Sequence, residues 1–405
     1  MRIRIANSRG APALGITLML ASLSMISPLS IDTFLPSFPT IAAEYGISDW
    51  KVQQIITAYL LPFACFALVH GPLSDALGRR RVVIGGLVLY TAGSLGCFLA
   101  PSFGTLLFCR VLQGLAAGIG PTVARAVVRD MFDGPNAQKL MSSMMLVFSL
   151  APAVAPVIGG WVHVSLGWRW VFGMLVVMGG VLMVTCFLLL PETHPPERRT
   201  PFRVGALISN CWRVASGPAF FLMALSAALA IASLFIYVGS APAIILDRWG
   251  LKETQFHYIF LPIVAGFMIS SFMSGRMAGT VEREMQLRIG FALLCASAGI
   301  GALAHALPGE VPIFFVQVLW FGMALGAQLT YPVLSLEMID MHPEARGAAA
   351  SVQSFVALGI GAVVMGMVAP MLEGNLQYLA VISLAGGVVA WFTWRAGTAL
   401  RARGR

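Results

Sequence analysis

Gly71-Pro-Leu-Ser-Asp-Ala-Leu-Gly-Arg-Arg-Arg81 separates two runs, residues 52–74 and 82–109, that contain no Asp, Glu, Lys or Arg. A helix that crosses a bilayer needs about 20 residues with few charges. Both runs are long enough, so the short charged stretch between them reads as a turn at a membrane surface.

The same pattern extends in both directions. Further charge-free runs cover residues 10–31, 140–168, 170–191, 214–246, 254–275, 289–309, 311–336, 347–372 and 374–394. A twelfth apolar segment, 103–128, is interrupted by Arg110. It shares the run 82–109 with its predecessor, and Pro101-Ser-Phe-Gly104 supplies the turn between them. No region alternates with period two as a membrane β-barrel would. Of the 405 residues, 58% are hydrophobic and only 11% charged, where about 25% charged is usual for a soluble domain. This excludes a soluble enzyme, a disordered chain and a nucleic-acid binder. Met1-Arg-Ile-Arg resembles the start of a signal peptide. The apolar run after it is long and many spans follow, so a retained first span is expected.

Lys and Arg collect on the cytoplasmic side of membrane proteins. With the N-terminus inside, 21 of the 26 fall in inner loops and tails. Four, Lys51, Arg169, Arg248 and Lys252, fall outside, and Arg110 is left within the membrane. The net charge of +9 therefore reflects topology. The longest polar connection, 192–213, divides an N-terminal bundle of six spans (1–191) from a C-terminal one (214–405). A faint repeat supports two halves. Ser274-Gly-Arg-Met-Ala-Gly-Thr-Val-Glu-Arg283 stands after span eight as Gly71 to Arg80 stands after span two. The expected fold is thus an all-α membrane protein of twelve transmembrane helices in two pseudo-symmetric six-helix bundles, an architecture found among transporters.

Few residues could carry chemistry. Asp32 is the one carboxylate deep in the first span, where an ionised acid costs at least about 2.5 kcal/mol. Desolvation favours its neutral form and a nearby cation its charged form, so it is a candidate proton carrier. The alternative is a helix-end Asp at the outer interface. Arg110 lies at a similar depth in span four, and mutual neutralisation with Asp32 is expected; the alternative is an Arg snorkelling outward. In the turn after span two, Gly71 and Gly78 permit close approach or unusual backbone angles, and Asp130 is an expected partner of Arg79 or Arg80. Span five carries Pro152, Pro156, Gly159 and Gly160, which read as a kinked helix that packs closely. Tyr59, Phe63, Phe148, Tyr237, Gln328, Tyr331 and Gln353 are aromatic or polar groups inside spans and are candidate cavity-lining, substrate-binding residues. The six cysteines show no metal-ligand spacing, and no metal or organic cofactor is expected. Hydrolase and phosphate-loop motifs are absent.

Taken together these stretches resemble the major facilitator superfamily. More narrowly, they resemble its drug:proton antiporters of the bicyclomycin and chloramphenicol resistance (Bcr/CflA) type. Ile31-Asp-Thr-Phe-Leu-Pro-Ser-Phe-Pro39 is similar to that group's first-span signature. Gly71 to Arg81 resembles motif A, in which Asp75, Arg79 and Arg80 would form an inner-face latch with Asp130. Arg110-Val-Leu-Gln-Gly114 resembles motif B, whose Arg is implicated in proton coupling, and Ser149 to Gly160 resembles motif C, the antiporter motif. Leu68 stands where the group usually has Gln, and Ala76 where it often has Arg. The resemblance implies a bacterial inner-membrane, multi-pass exporter of small-molecule drugs, with both termini cytoplasmic and protons as the coupling ion. Asp32 and Arg110 would serve that coupling. Its other contacts would be the lipid bilayer and no nucleic acid, and the expected unit is a monomer. The alternatives are the same fold moving a single metabolite, or a polytopic enzyme or channel.

The charge count makes a direct prediction. In a chain whose native cysteines are replaced, cysteines at positions 51 and 252 should react with a membrane-impermeant thiol reagent on intact cells. A cysteine at position 203 should react only after permeabilisation.

Overall fold

The computed structural model describes residues 14–132, 134–372 and 374–403. Arg2, Arg4, Arg9 and Arg405 of the charge count lie outside the described residues, as does the side chain of Lys139. Among the described residues the chain is helical throughout, with no strand. That follows from the medium: in hydrocarbon every backbone group must find its partner inside its own segment.

Span one comprises α1 (Leu14–Asp32), a single tight turn (Leu35–Ser37) and α2 (Phe38–Tyr45). Span two comprises α3 (Asp49–Ala67) and α4 (His70–Leu77), bent by 55° at the break. Span three is α5 (Arg79–Phe98). Span four is α6 (Phe103–Ala117) followed by α7 (Ile119–Met131), and spans five and six are α8 (Gly134–Leu166) and α9 (Trp168–Leu189). The connection carries its own helix, α10 (Val204–Ala215). The second half runs α11 (Pro218–Gly239), α12 (His257–Met277), α13 (Arg283–Ala306) and α14 (Ile313–Met341). It ends with span eleven, built from α15 (Arg346–Val363), a π turn (Val364–Val368) and α16 (Ala369–Met371), and with α17 (Leu376–Arg403). Eleven of these segments are long and apolar enough to cross a membrane, and the bent α3–α4 pair makes twelve.

The turns form where the sequence stops the helices. Ser102 caps α6 by accepting from the Thr105 N–H. Gly78, at φ +98°, ends α4 and lets α5 begin at once. The connection between the halves is not simply polar. Cys211 and Val214 of α10 are buried, and the helix packs on α15. Val204, Ile208 and Trp212 form an exposed stripe on its other side, with Arg203 and Arg213 at its ends. That is the pattern of a helix lying in a membrane surface.

The two halves meet along two seams, α3 against span eleven and α8 against α12 with the turn before it. The contacts concentrate where α3 begins and α8 ends, the outer side in the loop-charge topology. Gln53 Nε2 donates to the Gly239 carbonyl at 2.9 Å and Gln54 Nε2 to the Gly366 carbonyl at 2.9 Å. Gly366 has no Cβ because Thr57 Oγ1 fills that place, and Gly160 lies against the Glu253 backbone. At the other end α4 packs on α3, α5 and α7, all of its own half. The halves are therefore joined at the end where α3 begins and α8 ends.

Gly366→Ala should force Thr57 aside and lower the unfolding temperature of the detergent-solubilised protein, as overpacking costs about 1–3 kcal/mol. Adding Thr57→Ala should recover most of the loss. No recovery would mean that the seam is loose at this point.

Candidate functional site

Arg110 is fully buried on α6. Its Nη1 donates to Gln113 Oε1 at 2.8 Å and its Nε to the Ile55 carbonyl at 3.3 Å, while Nη2 has no partner. The guanidinium lies 4.5 Å from the Phe34 ring centroid and 4.4 Å from that of Tyr59, with Phe172 at 5.9 Å. Gln113 is held in turn, its Nε2 donating to Ser94 Oγ at 2.7 Å. A buried ion costs several kcal/mol. Desolvated cation–π contacts recover about 2 kcal/mol each, and the two polar acceptors add to that.

The expected Arg110–Asp32 pair does not form. Among the described residues neither side chain takes part in an ion pair. Depth is not the reason. Ser27 Oγ donates to the Ala117 carbonyl at 2.7 Å, and counting outward from that contact puts Asp32 about 8 Å and Arg110 about 10 Å away along their helices. Phe34, in the turn that follows α1, takes the place against the guanidinium instead.

Asp32 ends α1 at the break in span one, where Pro36 has no N–H to offer the Asp32 carbonyl. Its side chain is 6% exposed and makes no hydrogen bond among the described residues. One residue on, the Thr33 carbonyl occupies the place a Cβ of Gly159 would fill. Motif C thus touches both sides of the machinery: Gly159 lies against the break beside Asp32, and Gly160 against the second half. Pro152 and Pro156 lie within one continuous helix, α8.

The latch centres on Arg79. Its guanidinium pairs with Asp75 and, at 3.2 Å, with Asp130. Arg80 takes no part. It donates to the Phe187 carbonyl at 2.6 Å and lies over that residue's ring, because adjacent helical residues point about 100° apart. Gly71 makes no close approach, whereas a Cβ on Gly78 would collide with the Glu192 carboxylate. Glu192 accepts from the backbone N–H groups of Arg79 (2.9 Å) and His194 (3.0 Å), and Thr193 Oγ1 donates to Asp130 at 3.0 Å. The start of the linker is therefore part of the latch, a role that sequence reading missed. The second half repeats the device: Arg283, first residue of α13, pairs with Asp340 near the end of α14 at 3.2 Å.

The aromatic and polar candidates divide. Tyr59 and Phe63 are buried edge to face, Tyr237 is buried against Trp320, and Gln353 is buried, accepting from Ser335 Oγ at 2.9 Å. These four are buried among the helices; residue type alone cannot separate packing from cavity-facing. Phe148, Gln328 and Tyr331 keep accessible surface. Gln113, Gln53 and Gln54 were missed, although Gln113 could have been found from its i, i+3 spacing to Arg110.

The sequence profile of the Major Facilitator Superfamily matches residues 20–366. The chain belongs to this superfamily. It is 30% identical over 368 residues to an uncharacterised MFS-type transporter, YdgK, of Bacillus subtilis, covering 89% of this chain and 90% of that one. A bicyclomycin resistance protein homolog of Haemophilus influenzae is 28% identical over 87% of this chain and 88% of its own. A chloramphenicol resistance protein of Pseudomonas aeruginosa is 27% identical over 75% of this chain and 71% of its own. This facilitator is accordingly a multi-pass membrane transporter and not an enzyme, and its twelve helices have the superfamily's fold.

The two inner-face pairs should differ in weight. The Arg79 side chain is 9% exposed and that of Arg283 is 57%. A double-mutant cycle of Arg79→Gln with Asp130→Asn, read by unfolding in micelles, should give a coupling of about 0.5–3 kcal/mol. The Arg283→Gln and Asp340→Asn cycle should give about 0.2–1 kcal/mol.

Proposed function

We propose that this chain exports drugs by alternating access, driven by exchange for protons at Asp32. Asp32 carries the reading: a buried acid with no hydrogen-bond partner among the described residues, at a helix break, beside the glycine of motif C. Intramembrane acids are costly and mark ion pathways. The relatives named for bicyclomycin and chloramphenicol resistance support drugs as the cargo.

In this scheme Asp32 binds a proton when the cavity opens outward and releases it when the cavity opens inward. Proton and drug compete for one site that favours a different occupant in each state. Arg110 fixes the first half rigidly around this acid. The Gln53 and Gln54 bonds and the glycine contacts close the outer side, and opening them exposes the site to the exterior. The Arg79 latch steadies the inner ends of α4, α5 and α7 while the halves rock. The protein works as a monomer in a bacterial inner membrane, with both termini inside.

Proteoliposomes holding a pH dye, with a proton gradient imposed, test this. Addition of chloramphenicol or bicyclomycin should trigger proton movement in the wild type, and Asp32→Asn should abolish it while drug binding persists. Unchanged drug-driven proton flux in Asp32→Asn would remove Asp32 from the mechanism.

A further inference from the structure

Arg125 was counted among the inner-loop cations, but it lies on α7, about 9 Å from that helix's inner end at Met131 by helical rise. It is therefore inside span four. Val123, Ala124, Val127 and Val128 of the same helix are buried, while Arg125 is exposed. The packing partners of α7 are α1, α4, α5 and α8, all in the first half. Among the described residues, the Tyr331 phenol on α14 is the group from outside that half within electrostatic reach of Arg125. Arg125 thus faces α14 of the second half.

Its guanidinium is underused. Nε donates to the Pro121 carbonyl at 2.8 Å, one turn back, which fixes the plane of the group. It joins no ion pair among the described residues. The other charge close to it is Arg129, of the same sign. Opposite, Gln328 and Tyr331 are three residues apart on α14 and so share a face. Both are half-buried, and neither side chain makes a hydrogen bond among the described residues. Three groups that can donate hydrogen bonds, one of them a permanent cation and none of them an acid, therefore lie on facing helices of the two halves.

We propose that Arg125, with Gln328 and Tyr331 opposite, forms a subsite for the acceptor-bearing end of an aromatic solute, a carboxylate above all. The forked Arg donors match a carboxylate's two oxygens, and the same charge repels organic cations. The inference rests on the export reading and adds the class of cargo: anionic or acceptor-rich neutral aromatics, with cations disfavoured.

Equilibrium dialysis of the purified chain in neutral detergent micelles, with no gradient imposed, tests this. The probes are 4-nitrobenzoate, 4-nitrobenzamide and (4-nitrobenzyl)trimethylammonium, which differ chiefly in charge. The wild type should bind the benzoate most tightly and the ammonium most weakly, about tenfold or more apart. Arg125→Gln should weaken benzoate binding about tenfold and leave the amide nearly unchanged. Arg125→Lys should keep the order with a smaller gap, which guards against a folding defect in the Gln variant. Tyr331→Phe should weaken the benzoate several-fold. Equal binding of ammonium and benzoate, no binding of benzoate, or an unchanged ratio in Arg125→Gln would each overturn the proposal. Failure of proton coupling would leave these ratios as they are, so the two readings fail separately.

Discussion

A cation buried without an acid partner holds the first half together. Arg110 is held by fragments from almost every neighbouring span: a carbonyl and a ring from α3, the Phe34 ring from the break in span one, Phe172 from α9, and Gln113 of its own helix, itself tied to Ser94 on α5. No single contact would offset the desolvation of a guanidinium, so the spans must converge on it together. That requirement fixes how span one turns at its break. With Phe34 committed to Arg110, Asp32 is left facing elsewhere, free of the cation that would otherwise hold its charge.

The fold was legible because membrane helices are declared by composition. Twelve apolar runs, the Pro101–Gly104 turn and the half-way repeat all correspond to elements of the structure. The site was legible in part. Asp32 and Arg110 stood out as charges where charges are expensive, and Asp75, Arg79 and Asp130 as charges in a short turn. Their pairing was not legible, because depth can be counted along a sequence whereas the direction of a side chain around a broken helix cannot. Tyr59 and Tyr237 show the same limit: a Tyr in a span reads alike whether it meets a cavity or a neighbouring ring. Arg125 was misplaced because a basic residue near a span's inner end follows the charge rule whether it lies in the loop or a turn and a half above it.

The repeated inner-face pairs show how two related halves diverge. Arg79 and Arg283 each open a helix just after a turn containing a positive-φ glycine, Gly78 or Gly279, and each reaches an Asp near the end of the next span. Only the first pair is enclosed, because Glu192 and Thr193 fold over it. The linker thus gives the N-terminal latch a cover that the C-terminal pair lacks.

The amide bonds of the outer seam have an uneven genetic consequence. Gln53 and Gln54 both sit in the first half, and both reach backbone carbonyls in the second. A carbonyl is present whatever residue occupies its position. These two bonds therefore depend on side-chain identity in one half and on chain path in the other, although Gly366 must also stay small for Thr57 to fit. Side chains elsewhere on α11 and α14 can change without editing these bonds, whereas a single codon change at position 53 or 54 would remove one.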